Sequence, residues 1–526
     1  MRQSRVWRAG AALNRQARRF LRRFMTRRGG VAMIFGLSFI PLSMLTLTAI
    51  DFHRASTVKN ALQDALDSAS LAAARSQSTD PAQIQAIGAR VLAANMRSYP
   101  DTTVSNVTFT LQDDGTVVGN ASVSVDPLVA GMFLDGPLSV SAGSEVVRAN
   151  DKLEIALVLD NTGSMAGTKI STLRTAAANL VDDLKEAAEH NSDPDAIKLA
   201  LVPFSMTVRV GSQYSTASWL DRNGLSSQHD DLFSTAGTKR FTMLSNMNLS
   251  WAGCVESRIY PYDVQDTAPN TAMPDTLYQP YFAPDEPDAP SISGWKDDYD
   301  IDNNYLPDEI SNGSSNWKKW FKHQGNPGKY DTGGLSTSNG KGPNRGCTMA
   351  PIARLTNNTS AIKTAIQGMV ATGQTNIPMG LMWGWNVLAP NGPFGDGAAY
   401  DDDEVTKVVI LMTDGDNVNQ DYDNPNDSTY SGVSYVWSQR LGLDVGSSNS
   451  SRTAAMDARL ATLCTNMKAK GIVIYTVRVE VYGGSSSLLQ NCASEAENFY
   501  DVQNVADLGN AFEQIAGKIS RLRISR

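Results

Sequence analysis

Cysteine and histidine are scarce in this chain of 526 residues, with four of each. The histidines, His53, His190, His229 and His323, are scattered, and no CxxC pair occurs. That argues against a Cys/His zinc site. No glycine-rich phosphate loop follows a strand, and no nucleophile–base pair is readable, which argues against an enzyme. Acidic residues are missing from residues 1–28, and residues 29–50 carry no charge at all. What is present divides along the same line. Ten of the 46 basic residues are arginines within residues 1–28, leaving 36 against all 54 acidic residues, a net charge of −18 for the rest. A basic tail and an acidic body are two different objects, and the acidic body speaks against nucleic acid as a partner. A hydrophobic share of 41% is enough for real cores, and the length suits two or three folded units.

The charge-free run Gly29 to Ile50 is 22 residues long and ends at Asp51. About 20 apolar residues span a bilayer, so a transmembrane helix at 29–50 is expected, with Pro41 as a tolerated kink. The arginines place the N-terminus, a cytoplasmic tail of residues 1–28, inside and the bulk outside. A cleaved signal peptide is the weaker alternative, because the apolar run is longer and the basic lead more extended than such signals need. The expected location is the inner membrane, single-pass, with a periplasmic body. The cysteines (Cys254, Cys347, Cys464 and Cys492) all lie in that body, and an even number outside the cytosol predicts disulfides. Three pairings are open. Sequential pairing is favoured because each pair falls within one segment.

Beyond the anchor, Ala55, Val58, Leu62, Ala65, Ala69 and Ala72 form a narrow apolar seam at helical spacing. It suits either packing within its own domain or an oligomer through the 51–75 helix. A second helix over 81–97 follows Asp80-Pro81, and alternating runs at 104–111, 117–125 and 138–147 predict three strands. Residues 51–150 thus read as a small α+β region. From 151 to 526, continuous apolar strands (Ile155–Leu159, Ile197–Phe204, Val405–Met412, Ile472–Val479) alternate with helices, which predicts an α/β fold with a doubly wound parallel sheet. Residues 211–347 and 416–450 break the rhythm and are read as insertions.

The first of those strands ends in Asp160-Asn161-Thr162-Gly163-Ser164, a later loop reads Gly373-Gln374-Thr375, and the third strand ends in Thr413-Asp414-Gly415. These follow structural elements so as to gather at the carboxyl edge of the sheet, where open α/β sheets bind ligands. Carboxylate and hydroxyl oxygens together suit a hard cation. The three loops resemble the metal-ion-dependent adhesion site (MIDAS) of von Willebrand factor A domains, with Thr162 where the family usually has Ser. The resemblance implies Mg²⁺ (or Mn²⁺) held by the hydroxyls of Thr162, Ser164 and Thr375 and the carboxylates of Asp160 and Asp414, with one position left for an acidic side chain of a protein partner.

A wider resemblance joins the basic tail, the anchor, the stretch Leu62 to Ala69 (LQDALDSA), the stretch Gly380 to Leu388 (GLMWGWNVL) and the C-terminal A-type domain. Together these are similar to TadG-like proteins of the bacterial Tad/Flp pilus assembly system. That implies partners among pilus assembly proteins or pilin. A third option for the N-terminus is prepilin-type cleavage after Gly30, but Phe35 stands where such substrates carry Glu. The other functional readings are a surface adhesin for host or matrix ligands and a metal-dependent hydrolase.

Within the first insertion, Asp298, Asp300, Asp302, Asn304 and Glu309 stand at relative positions 1, 3, 5, 7 and 12, the spacing of an EF-hand-type Ca²⁺ loop. The competing reading is a solvated acidic loop. The insertion's many Trp and Tyr residues are expected to build a small core of its own, and Trp383 and Trp385 to pack on the sheet or the insertion.

Overall fold

The charge-free run and the seam behind it form one unbroken helix. In the computed structural model, α1 spans Gly29–Arg75 with Pro41 inside it. The structure describes residues 29–522 apart from 77, 79, 113–115, 128–135, 148–151, 190–192, 234, 236, 287–302, 308–324, 336–339, 421–425, 427 and 482–486. The basic tail therefore lies outside the described residues. Contacts divide the chain into two units, Met1–Arg148 and Ala149–Arg526.

In the first unit, α2 (Pro81–Asn95) starts where Asp80 accepts a hydrogen bond from the Ala82 amide and Pro81 supplies a preset φ. Strands β1 (Thr102–Leu111), β2 (Thr116–Val125) and β3 (Leu138–Val147) form an antiparallel sheet in the order β1-β2-β3. The seam on α1 is buried in this unit's own core. Val58, Leu62, Ala65 and Ala69 pack with Ile84 and Leu92 of α2 and with Phe109, Val117 and Val123 of the sheet. The face offered for an oligomer is thus largely covered by the chain itself. The N-terminal part of α1 is different: Ile34, Phe35, Leu37, Leu42 and Leu45 are exposed, and the helix is long and apolar enough to cross a membrane.

The second unit is built on β4 (Lys152–Asp160), β5 (Ile197–Phe204), β6 (Val208–Arg209), β7 (Cys254–Val255), β8 (Ala353–Thr356), β9 (Val405–Thr413), β10 (Val473–Val479) and β11 (Phe499–Val502). Their order is β11-β10-β9-β4-β5-β6-β7, with β8 also paired to β5. The five strands β11, β10, β9, β4 and β5 run parallel, while β6, β7 and β8 are short antiparallel additions at one edge. Burial on both faces explains the unbroken apolar runs. Along β4, Leu153, Ile155, Leu157 and Leu159 face one core, and Ala156 and Val158 the other. The first core is covered by α3 (Thr168–Glu189), α5 (Thr359–Gln367) and α9 (Leu508–Leu522).

The opposite face holds α6 (Ile377–Leu388), α7 (Asn449–Ala469) and α8 (Ser487–Cys492), together with α4 (Arg240–Asn246) of the insertion. Every residue of α6 is buried. A helix that is apolar all round needs cover on all sides. The sheet supplies one side, and it does so at close range: a Cβ on Gly384 would stand 2.4 Å from Val158 Cγ2. The insertion supplies the other. The Trp383 ring lies 4.7 Å from that of Tyr278 and 5.9 Å from that of Trp219. The expectation of a separate core in residues 211–347 is therefore corrected. Trp219, Trp251, Tyr278, Tyr281 and Tyr330 join the same core as the sheet, because α6 presents apolar surface beyond what the sheet and α7 cover.

Two disulfides, Cys254–Cys347 and Cys464–Cys492, leave no free cysteine. The first closes the insertion onto the edge strand β7, and the second ties α7 to α8. Of the candidate calcium loop, Asp298, Asp300, Asp302 and Glu309 lie outside the described residues. Within it, Asn303 is buried, and its side-chain oxygen accepts from the Gly342 amide at 2.8 Å.

Candidate metal centre

Sheet order places the centre. The chain leaves β4 toward β5 on one side and returns as β9 on the other, so the switch point is at the carboxyl ends of β4 and β9. Asp160 is the last residue of β4, and Asp414 follows Thr413, the last of β9.

Asp160 is wholly buried, and both of its oxygens are engaged. The Thr162 amide donates to Oδ1 at 2.8 Å and the Thr413 hydroxyl to Oδ2 at 2.6 Å. Thr162 Oγ1 and Ser164 Oγ share a hydrogen bond of 2.9 Å, and Ser164 Oγ donates to Asp414 Oδ1 at 2.6 Å. Asp160, Thr162, Ser164 and Asp414 are thereby one connected group across 250 residues of sequence. The second loop is held against the first. The Gly163 amide donates to the Gly373 carbonyl at 2.9 Å, and the Thr372 amide to the Asn161 carbonyl at 2.8 Å. Gly373 has φ +72°, and a Cβ there would stand 2.4 Å from Ser205 Oγ, so both conformation and space call for glycine. Thr375 follows on this loop and is buried. Its carbonyl accepts from the Val418 amide at 2.8 Å, but its hydroxyl takes no part in the hydrogen bonds joining the other four. Asn376 then caps α6 by accepting from the Met379 amide.

Charge is unevenly compensated. Asp414 accepts from Lys169 Nζ at 2.7 Å on Oδ2, and Lys169 Nζ also lies 3.7 Å from Glu480 Oε2. Asp160 receives only neutral donors; among the described residues no basic side chain pairs with it. Burial pushes its carboxyl up to about 6, against hydrogen bonds from Thr162 and Thr413, and the nearby Asp414 adds to the push. A buried carboxylate without a cation is costly. Two carboxylates with neighbouring hydroxyls make an all-oxygen donor set, the kind that hard divalent ions prefer. Among the described residues no group of three or more His, Cys, Asp or Glu gathers to hold a metal, so the hydroxyls are needed to complete any site. The oxygens of Asp160, Thr162, Ser164 and Asp414, with Thr375 on the adjoining loop, make a donor set of the kind that oxygen-preferring divalent ions take.

Two participants were not assigned a role from the sequence. Thr413 belongs to the T-D-G stretch and was visible. Lys169 stands in the first turn of α3 with no motif to mark it.

Residues 29–76 match the family model described as Flp pilus-assembly TadE/G-like. The N-terminal segment is TadE/G-like. No curated protein matches the chain. Among solved structures, the chain is similar to the vWF domain of the type V pili tip protein Mfa5 from Porphyromonas gingivalis. That match has 11% identity, covers 72% of this chain and 98% of that one, and has a TM-score of 0.32. The pilus adhesin RrgA from Streptococcus pneumoniae matches at 12% identity, 80% and 49% coverage and a TM-score of 0.29. Proximal thread matrix protein 1 from the mussel byssus, with a zinc occupied MIDAS motif, matches at 14% identity, 70% and 47% coverage and a TM-score of 0.26. The chain thus spans about half the length of the latter two. Downstream of the TadE/G-like segment, the doubly wound sheet with its carboxylate–hydroxyl centre stands on its own geometry.

Proposed function

We propose that this protein is an inner-membrane component of Tad/Flp pilus assembly or anchoring, and that its exported body binds a protein partner through a divalent metal at Asp160, Thr162, Ser164, Thr375 and Asp414. The observation that carries the reading is Asp160, a fully buried carboxylate with neutral donors only, beside a second carboxylate at the switch point of the sheet. The TadE/G-like segment supports the pilus role, and the apolar helix with its basic lead supports an anchor with the N-terminus in the cytoplasm. Mg²⁺ or Mn²⁺ supplies a strong positive point charge with one position for an acidic side chain of pilin or another assembly protein. No covalent chemistry is required of the site.

Asp160→Ala and Asp414→Ala should each abolish Mg²⁺ and Mn²⁺ binding in calorimetry while the far-UV spectrum is retained, and cells carrying either variant should lose pili. Unchanged metal affinity in both variants would remove the site. Normal piliation with lost metal binding would favour the surface-adhesin reading.

A further inference from the structure

Lys169 is oddly placed for a lysine. It occupies the second position of the 22-residue helix α3, where the helix dipole disfavours a cation. Two carboxylates hold it there. Nζ lies 2.7 Å from Asp414 Oδ2 and 3.7 Å from Glu480 Oε2. The Asp414 side chain is fully buried, whereas those of Lys169 and Glu480 are each 22% exposed, so the lysine reaches inward from the surface. Glu480 is fixed from the other side: its Oε1 accepts from the Val505 amide at 2.9 Å and its backbone is left-handed, with φ +50°. Both oxygens of Asp414 are occupied, Oδ1 by the Ser164 hydroxyl and Oδ2 by the Lys169 ammonium.

We propose that Lys169 is an internal counter-ion of the centre, which neutralises Asp414 in the metal-free protein and is displaced toward Glu480 when a divalent ion binds. The proposal rests on the metal reading above. A doubly charged ion and an ammonium on the same carboxylate repel each other strongly at this range and depth. The ion therefore has to move the lysine, and Glu480, already within reach, receives it. The exchange sets a threshold: the centre loads only where divalent metal is abundant enough to win Asp414 from Lys169. It also connects the state of the metal to Glu480, the residue that follows β10.

The test is Mn²⁺ calorimetry on the full chain in detergent. Lys169→Met should bind Mn²⁺ about tenfold more tightly than the unmodified protein, since one competing charge is gone. Lys169→Arg, which keeps the charge, should stay close to the unmodified affinity. Glu480→Gln should weaken binding when Lys169 is present and have no effect on top of Lys169→Met, because its role is to receive the lysine. If Lys169→Met binds as the unmodified protein does while Asp160→Ala abolishes binding, the counter-ion is wrong and the metal site stands. If neither the unmodified protein nor Lys169→Met binds Mn²⁺, both fall.

Discussion

Asp160 is where a single residue carries most of the electrostatic strain of the centre. Its carboxyl is raised from 3.8 to about 6 in the folded protein. Between these values the native state holds more protons than the unfolded chain, so stability of the metal-free protein falls as pH rises through that window. The shift of about two units corresponds to roughly 3 kcal/mol. Asp160→Asn removes the charge and nearly keeps the shape. In EDTA at pH 7 the variant should be about 1–3 kcal/mol more stable than the unmodified protein in urea unfolding, the difference shrinking toward pH 4.5. Addition of Mg²⁺ should reverse the order, because only the carboxylate binds. Equal stabilities across that range would show that Asp160 is not strained. The loop motifs containing Asp160, Ser164 and Asp414 were legible in the sequence because each follows an apolar strand. Lys169 was not, since its bond to Asp414 joins positions 245 residues apart and no local pattern announces it.

At the scale of elements, the two insertions act as one cover. The second reaches the candidate site through the Val418 amide, which donates to the Thr375 carbonyl, and through Asn417, which accepts from the Ile377 amide at 2.9 Å. It is locked to the first by Glu256. That buried carboxylate takes Arg440 Nη1 at 2.7 Å and is also bound by Arg240 and by the Tyr430 hydroxyl. Burial pushes Glu256 up, but Arg240 and Arg440 together hold it below the usual glutamate range. Its contribution is therefore present above the unfolded glutamate pKa and lost as pH falls through the lower folded value. Glu256→Gln leaves the buried Arg240 without its counter-charge and Arg440 with Asp231 alone, at 3.5 Å, and should cost about 3–5 kcal/mol in denaturant unfolding at pH 7. A loss below about 1 kcal/mol would mean the network is dispensable. The parallel strands and their covering helices were legible from apolar runs and 3.6-residue periodicity. The cover was not, because turns of three or four residues and two-residue strands such as Cys254–Val255 leave no periodicity to read.

For the whole molecule, the charge division first seen in the composition matches a division of labour. The apolar part of α1 is exposed and uncovered, whereas its second half is buried in a small α+β unit, and the larger unit carries the acidic centre. The disulfides lock the larger unit at two places, and in the chain-entropy view they contribute about 4–5 and about 3–4 kcal/mol for loops of 93 and 28 residues. Such bridges suit an oxidising compartment, in keeping with an exported body. The whole arrangement turns on a divalent ion at the edge of this sheet. Crystals of the full chain grown in detergent and soaked in Mn²⁺ should give an anomalous peak beside Asp160, Ser164 and Asp414, with the Lys169 side chain moved off Asp414. Anomalous signal absent from that position at saturating Mn²⁺, with Lys169 still on Asp414, would contradict it.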